Sequence, residues 1–280
     1  MKRVAIQGIA GCFHDIAARE YFKGEEIEII ACETFRDVFD TIKKDSSIIG
    51  AVAIENTIAG SLLQNHNLLK ESGLKIAGEY KLRIKHNLVA LPGQKISDIH
   101  EVHSHPIALM QCGDFLQRNK HIKAVESDDT ASSAKRVAEE GKMGVAAICG
   151  EMAAKIYGLE ILEKGIETNK HNFTRFLIVA DSWLTDELSK GKSPNKASLV
   201  FSLPHEQGSL AMILSILSYY GLNLTKIQSL PIIGREWEYQ FYVNLSFTQY
   251  VRYTQALSAI TPLTKDLKVL GEYQEANQSL

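Results

Sequence analysis

Short runs rich in Val and Ile alternate, over the first two thirds of the chain, with segments of helical periodicity, and this rhythm restricts the fold to a layered α/β type. The runs lie at 4–6, 27–31, 48–54, 88–91, 124–125, 145–148 and 176–179. Between them, 130–139 puts Ala131, Ala134, Val137 and Ala138 on one helical face, behind capping candidates at 127–129. His105-Pro106 opens a further helix, because proline suits a first turn, and Gly158 closes the one that starts near Glu151.

The rhythm changes after residue 180. Residues 181–196 carry few apolar positions, several charges, a Gly and a Pro, and read as a solvated linker between domains. Residues 197–280 have a complete pattern of their own: strand 197–203, helix 209–220, strands 223–230 and 239–247, helix 251–260 and strand 267–273. This βαββαβ order implies an α+β, ferredoxin-like sheet. Leu210, Ile213, Leu214 and Leu217 make one helical stripe, and Tyr239, Phe241, Val243, Leu245 and Phe247 alternate with polar residues, so each element is expected to bury one face. A module of about 80 residues barely offsets its ordering entropy, so self-association to a dimer or tetramer is expected.

Several function classes are excluded by bulk properties. Among 280 residues, 31 basic and 33 acidic side chains leave a net charge of −2, which gives no electrostatic footprint for nucleic acid. An anionic substrate would need a local basic site. Cys12, Cys32, Cys112 and Cys149 are widely separated and read as reduced core residues rather than metal ligands. After Met1-Lys2-Arg3 the apolar stretch Val4-Ala5-Ile6 is too short for a signal-peptide core, and no later segment approaches a membrane span. The cytoplasm is the expected compartment, with no membrane partner.

Six polar segments sit where strands end or helices begin, where ligands gather in open α/β sheets. They are 7–11, 54–57 with Gly60, 103–106 with Gln111, 126–130, 146–148 and 172–176. The spacing of Gly8 and Gly11 fits neither a dinucleotide fingerprint nor a P-loop, so a tight strand-to-helix turn is the reading. His103 and His105 have no carboxylate or cysteine partner at recognisable spacing and read as structural or capping residues. Glu55-Asn56, taken alone, reads as a helix cap. Thr174 and Arg175, flanked by Phe173 and Phe176 on an extended segment, suit a small aromatic-like acid; an ordinary edge strand fits them as well.

Taken in order, the segments 8–13, 54–60, 104–112, 130–134 and 167–179 with Asn172-Phe173-Thr174-Arg175-Phe176 at their centre resemble prephenate dehydratase, and 208–211 with 221–231 resemble an ACT domain. The match covers almost the whole chain. It implies a two-lobed, periplasmic-binding-protein-like catalytic domain over 1–180, with the second lobe at about 79–150, followed by an ACT regulatory domain over 197–280. With no chorismate mutase segment before Met1, the single-activity form is expected. By residue-wise matching, Thr174 is the family's catalytic threonine, with Glu55 and Glu126 as carboxyl groups able to relay a proton. Asn56, Thr57, Ser104, Gln111, Arg175 and Phe176 fall at substrate-binding positions.

The resemblance implies a carbon-oxygen lyase that decarboxylates and dehydrates prephenate to phenylpyruvate without metal or organic cofactor, in L-phenylalanine biosynthesis. L-Phenylalanine is the implied effector, at Gly208, Ser209, Leu210, Ala211, Asn223, Leu224, Gln228 and Ser229. The chain reads Gln228-Ser229-Leu230-Pro231 where the family usually has Glu-Ser-Arg-Pro. The alternatives are an arogenate dehydratase and an amino-acid-binding sensor that performs no chemistry.

Overall fold

The computed structural model describes residues 1–232, 234–235 and 238–276. The first lobe runs β1 (Lys2–Gln7), α1 (Phe13–Tyr21), β2 (Ile27–Cys32), α2 (Phe35–Lys44), β3 (Ile48–Asn56), β4 (Gly60–Ser61), α3 (Leu63–Ser72) and β5 (Lys75–Arg83). The second lobe comprises β6 (Asn87–Ala90), β7 (Glu101–Ser104), α4 (Pro106–Gln111), α5 (Gly113–Arg118), β8 (Lys123–Glu126), α6 (Thr130–Glu140), β9 (Val145–Cys149), α7 (Glu151–Ile156) and β10 (Glu160–Glu163). The chain then returns to the first sheet through β11 (Phe173–Ala180) and α8 (Ser182–Ser189). It ends in β12 (Lys196–Ser202), α9 (Ser209–Tyr219), β13 (Asn223–Pro231), β14 (Tyr239–Ser246), α10 (Tyr250–Ile260) and β15 (Lys265–Tyr273).

The first sheet has the order β2-β1-β3-β11-β5, parallel from β2 to β3, with β11 antiparallel to both neighbours. β3 sits at its centre and is apolar from Ile48 to Ile54, as a strand covered on both faces requires. The second sheet, β10-β6-β9-β7-β8, is built from residues 87–163, so the excursion starts and ends later than the expected 79–150. Lys75–Arg83, charged at Lys75, Glu79, Lys81 and Arg83, pairs along its length with β11 and belongs to the first lobe.

Residues 181–196, which read as a solvated linker, contain α8. Asp181 caps it by accepting from Trp183 N at 3.2 Å, and Leu184 and Leu188 pack against the first lobe. No helix among the described residues is long and apolar enough to cross a membrane.

The last sheet has the order β13-β14-β12-β15, antiparallel throughout, with α9 and α10 packed on one face around Leu199, Phe201, Val243 and Tyr253. The alternation that marked the opposite face as polar does not make it solvent-facing. Gln240, Tyr242 and Asn244 are all buried, because this face lies on the first lobe. Leu230, Tyr242, Leu270 and Tyr273 share one apolar cluster with Leu68, Ile76 and Leu177. Tyr242 Oη and Gln240 Nε2 both donate to Asn67 Oδ1, at 3.2 and 2.9 Å. At Gly271 a Cβ would overlap the Ile76 carbonyl, so only glycine allows β15 to lie this close to β5.

His66 sits in this interface, edge-on to the Tyr242 ring at 5.1 Å, and donates from Nδ1 to the Leu62 carbonyl at 3.0 Å. Burial lowers its pKa from the ordinary 6.5 to about 4. The unfolded chain therefore takes up this proton first on acidification. Stability is fully present above about pH 6.5 and is lost as pH falls towards 4, by on the order of 3 kcal/mol at most for this one group. Thermal unfolding at pH 7 and pH 4.5 should show a smaller acid-induced drop in His66→Phe than in the wild type; equal drops would remove His66 from the account.

Candidate active site

The end of β3 and the start of β11 lie side by side, with Asn56 opposite Thr174, at the wall of a cavity of about 250 Å³ between the lobes. Phe13, His14 and Asn56 reach it from the first lobe, and His105, Ala108 and Gln111 from the second. Thr174 and Phe176 line it from β11. Directly paired residues of antiparallel strands share a face, so Asn56 and Thr174 point into the cavity together.

A chain of hydrogen bonds fixes how these groups are aimed. Asn56 Oδ1 accepts from the backbone N–H of Ile58 (2.9 Å) and Ala59 (2.8 Å), which settles the orientation of its amide. Asn56 Nδ2 must then donate, to Asn172 Oδ1 at 2.8 Å and to Thr174 Oγ1 at 2.9 Å, with the Phe173 carbonyl a third, longer acceptor at 3.1 Å. Asn172, completely buried, donates in turn to Gln111 Oε1 at 2.8 Å. Gln111 Oε1, already an acceptor, also takes the Nε2 hydrogen of His86 at 2.9 Å. The Thr174 oxygen accepts here, and its hydroxyl hydrogen has no acceptor among the described residues, so it can donate into the cavity. The His86 ring, 2% exposed, keeps a bare Nδ1 lone pair with no partner among the described residues.

The remaining expected site residues are placed elsewhere. Glu55 and Arg175 lie on the opposite face of the sheet, turned towards the C-terminal sheet. Arg175 Nε donates to Glu79 at 2.6 Å, Nη1 to Glu55 at 3.0 Å and Nη2 to Tyr273 Oη at 2.9 Å. With its amide oxygen turned to the guanidinium, Asn244 accepts from Nη1 at 2.6 Å. Burial raises the Glu55 pKa, but Arg175 and Lys226 more than offset it and hold the carboxyl at about 2. At Lys226 the balance is reversed: burial outweighs the attraction of Glu55 and lowers its pKa.

A bulge explains this placement. The β3–β11 register passes from Arg175↔Glu55 to Phe176↔Ala53, leaving Ile54 without an opposite number. Ile54 and Glu55 therefore both face backwards, and Asn56 takes the cavity side that strict alternation after Ala53 would give to Glu55.

Glu126 is exposed at the end of β8 and does not line the cavity. Ser104 is fully buried and donates to the Ile148 carbonyl at 2.7 Å, tying β7 to β9. Thr57 Oγ1 donates to the His171 carbonyl at 3.0 Å and accepts from Phe173 N at 2.9 Å, which pins the loop after β3 to the start of β11. His105 accepts from Ile107 N at 3.2 Å as a cap for α4.

The local basic site expected for an anion is not made of side chains. No Lys or Arg lines the cavity among the described residues. The first turns of α1, α4 and α6 reach it through Phe13, Ile107 and Thr130, but α4 is capped by His105 and α6 by the Asp129 carboxylate, which also lines the cavity. The α1 turn has no side-chain cap at Cys12; the buried Asp15 of its first turn accepts from Gly11 N at 2.8 Å and from Arg19 Nε at 2.7 Å, which leaves the other backbone N–H groups of the turn for a carboxylate.

His86 and Asn172 were not among the expected site residues. Asn172 lies within the 172–176 motif, but nothing local distinguishes a structural amide from a working one. His86 carries no motif at all.

A small, largely apolar cavity between two α/β lobes, with a free hydroxyl donor, neutral amides and helix N termini around it, defines a cleft protein for a compact organic acid. The family model "PDT: Prephenate dehydratase" matches residues 4–182. The chain belongs to the prephenate dehydratase family, which is a family of lyases. It is 34% identical over 281 residues to the arogenate dehydratase/prephenate dehydratase 2 of Arabidopsis thaliana, covering 97% of this chain and 72% of that protein. A solved structure described as GqqA, a quorum quenching acylase, superposes with a TM-score of 0.86 at 28% identity, covering 98% of each chain. The prephenate dehydratase of Arthrobacter aurescens in complex with L-Phe superposes with a TM-score of 0.84 at 25% identity, covering 98% of this chain and 90% of that one.

Replacing Asn172 with Leu would leave Asn56 and Gln111 facing an apolar group. Each amide would lose one hydrogen bond and keep another, to Thr174 Oγ1 and from His86 Nε2, at a cost of about 0.5–1.5 kcal/mol per bond. Urea unfolding should register the loss; an unchanged midpoint would show that the amide chain is not rigidly formed.

Proposed function

We propose that the chain converts prephenate to phenylpyruvate, with Thr174 as the donor to the departing hydroxyl. The observation that carries this reading is the direction of the Asn56–Thr174 hydrogen bond. Prephenate loses carbon dioxide and water and gains an aromatic ring, so the reaction runs downhill. Its barrier lies in expelling hydroxide while the ring carboxylate gives up its electrons. A hydrogen-bond donor fixed at the leaving oxygen stabilises the charge that develops there. Donation from Asn56 to Oγ1 polarises the hydroxyl and strengthens it as a donor.

Gln111 and the open first turn of α1 are assigned to the substrate carboxylates, and Phe13 and Phe176 to excluding water from the ring. Neither Glu55 nor Glu126 reaches the cavity, so neither is retained as a proton relay. Thr174→Val keeps the shape and removes the donor. Turnover of prephenate should fall on the order of 100- to 1000-fold, read as the rate of phenylpyruvate formation. A variant that works at nearly the wild-type rate would exclude the role.

A second substrate is arogenate, named in the arogenate dehydratase/prephenate dehydratase 2 of Arabidopsis thaliana to which the chain is similar. Turnover of the two acids by the same preparation separates the readings.

The C-terminal 197–280 segment is read as an ACT domain that binds L-phenylalanine at 208–211 and 223–229, between copies of the chain, in the cytoplasm. Support comes from the β13-β14-β12-β15 sheet and from β13 lying at its edge with Asn223, Thr225, Ile227 and Ser229 exposed. Gly208 opens α9 in the left-handed conformation at φ +83°. Leu230, where the family usually has arginine, is buried against the first lobe and does not face outwards. Calorimetry should detect phenylalanine at millimolar concentration, and no heat at that concentration would end the effector assignment.

A further inference from the structure

Behind the active-site strand pair, the β3–β4 hairpin is gripped by one side chain of the C-terminal sheet. Lys226, on β13, donates to Glu55 and, at 2.8 Å, to Ser61 Oγ. Glu55 and Ser61 are paired across the β3–β4 hairpin. One ammonium therefore holds both legs of the hairpin whose tip, 57–59, is closed by Asn56 Oδ1. The side chain is 9% exposed, so the contact is shielded from screening.

We propose that Lys226 is a positioning residue for Thr174, and that through it an amino acid bound on β13 changes turnover. This rests on the dehydration reading above. Lys226 acts through the hairpin: releasing Glu55 and Ser61 frees Asn56, and the Thr174 hydroxyl loses the donor that fixes its direction. No part of Lys226 touches the cavity. Its position on the strand supplies the second half of the argument. It lies between Asn223-Leu224 and Gln228-Ser229, the segments read as the effector site, and directly after a bulge. The β13–β14 register moves from Leu224↔Leu245 to Lys226↔Asn244, leaving Thr225 unpaired. The bulge turns Leu224 towards the helices and Lys226 towards the first lobe, and a bulged edge strand is a place where pairing is easily shifted.

Lys226→Met keeps the length of the side chain and removes its donors. Misplacement of a catalytic group by about 1 Å costs on the order of 100-fold. The variant should therefore lose about 10- to 100-fold in kcat with KM changed less than about threefold, a split that marks an interaction made in the transition state. Lys226→Arg should restore most of the rate. Phenylalanine should still bind Lys226→Met by calorimetry but no longer alter its turnover. Hydrogen exchange at the Ile58 and Ala59 amides should accelerate in the same variant, a readout that needs no activity. Normal kcat, a loss confined to KM, retained response to phenylalanine, or unchanged exchange would each overturn the proposal. Should Lys226→Met fail to fold, Glu55→Gln carries the same tests. A wild-type chain inactive on prephenate would strike the dehydration reading, while the exchange measurement would still judge the clamp.

Discussion

The Glu79–Arg175 pair is buried, and the rest of the molecule is arranged so that neither charge is left alone. Glu79 accepts from Arg175, from Lys196 at 2.9 Å and from the Ala276 backbone at 3.0 Å. Arg175 is completed by Glu55, Tyr273 and Asn244. Lys196, Asn244 and Tyr273 all come from the C-terminal sheet, whereas Glu55 and Glu79 come from the first lobe. Removing one partner from such a group typically costs about 3–5 kcal/mol, because a charge remains buried without compensation. The C-terminal sheet is thus part of the folded environment of β11 and not a separate module on a tether. It also makes that sheet buried on both faces, which is uncommon for so small a unit and supplies the burial that about 80 residues cannot generate alone.

The same strand turns its other face to the cavity, and there the design is reversed. Thr174 is flanked by neutral amides whose donation runs from the two backbone N–H groups at Asn56 through Asn172 to Gln111 Oε1, where His86 donates from the other side. Because the amides of Asn56 and Asn172 each donate and accept along this chain, reversing either would break two bonds at once. A hydroxyl held this way needs little reorganisation when charge appears on its acceptor, which is how fixed dipoles lower a barrier. Cavity and interface lie back to back across one β-sheet, so alternate residues of β11 serve chemistry and docking.

The layered α/β class and the βαββαβ order were legible because hydrophobic period survives any tertiary detail. The Thr174 position was legible through an ordered set of motifs. Three things were hidden. The polar face of the C-terminal sheet read as solvent-exposed, since Gln240 and Asn244 look the same whether they meet water or Asn67 and Arg175. Glu55 read as a cavity residue because a bulge at Ile54 leaves no mark in the alternation of Ala53-Ile54-Glu55-Asn56. Residues 181–196 read as linker because α8 buries only a few side chains, and a charged helix with one narrow apolar edge resembles a loop in composition.

That Arg175 faces away from the substrate is chemically favourable. As the carbon–carbon bond to the ring carboxylate breaks, that group loses its charge and leaves as neutral carbon dioxide. A guanidinium paired with it would stabilise the ground state more than the transition state and so raise the barrier. Helix N termini and amide N–H groups offer weaker, dispersed positive potential. They orient a carboxylate yet hold it less tightly than a full charge would. The donor that matters is then the one at the opposite end of the ring, where negative charge grows. On the proposed reading the directed hydroxyl of Thr174 fills that place, while the full cations stand behind the sheet and hold the strand in position.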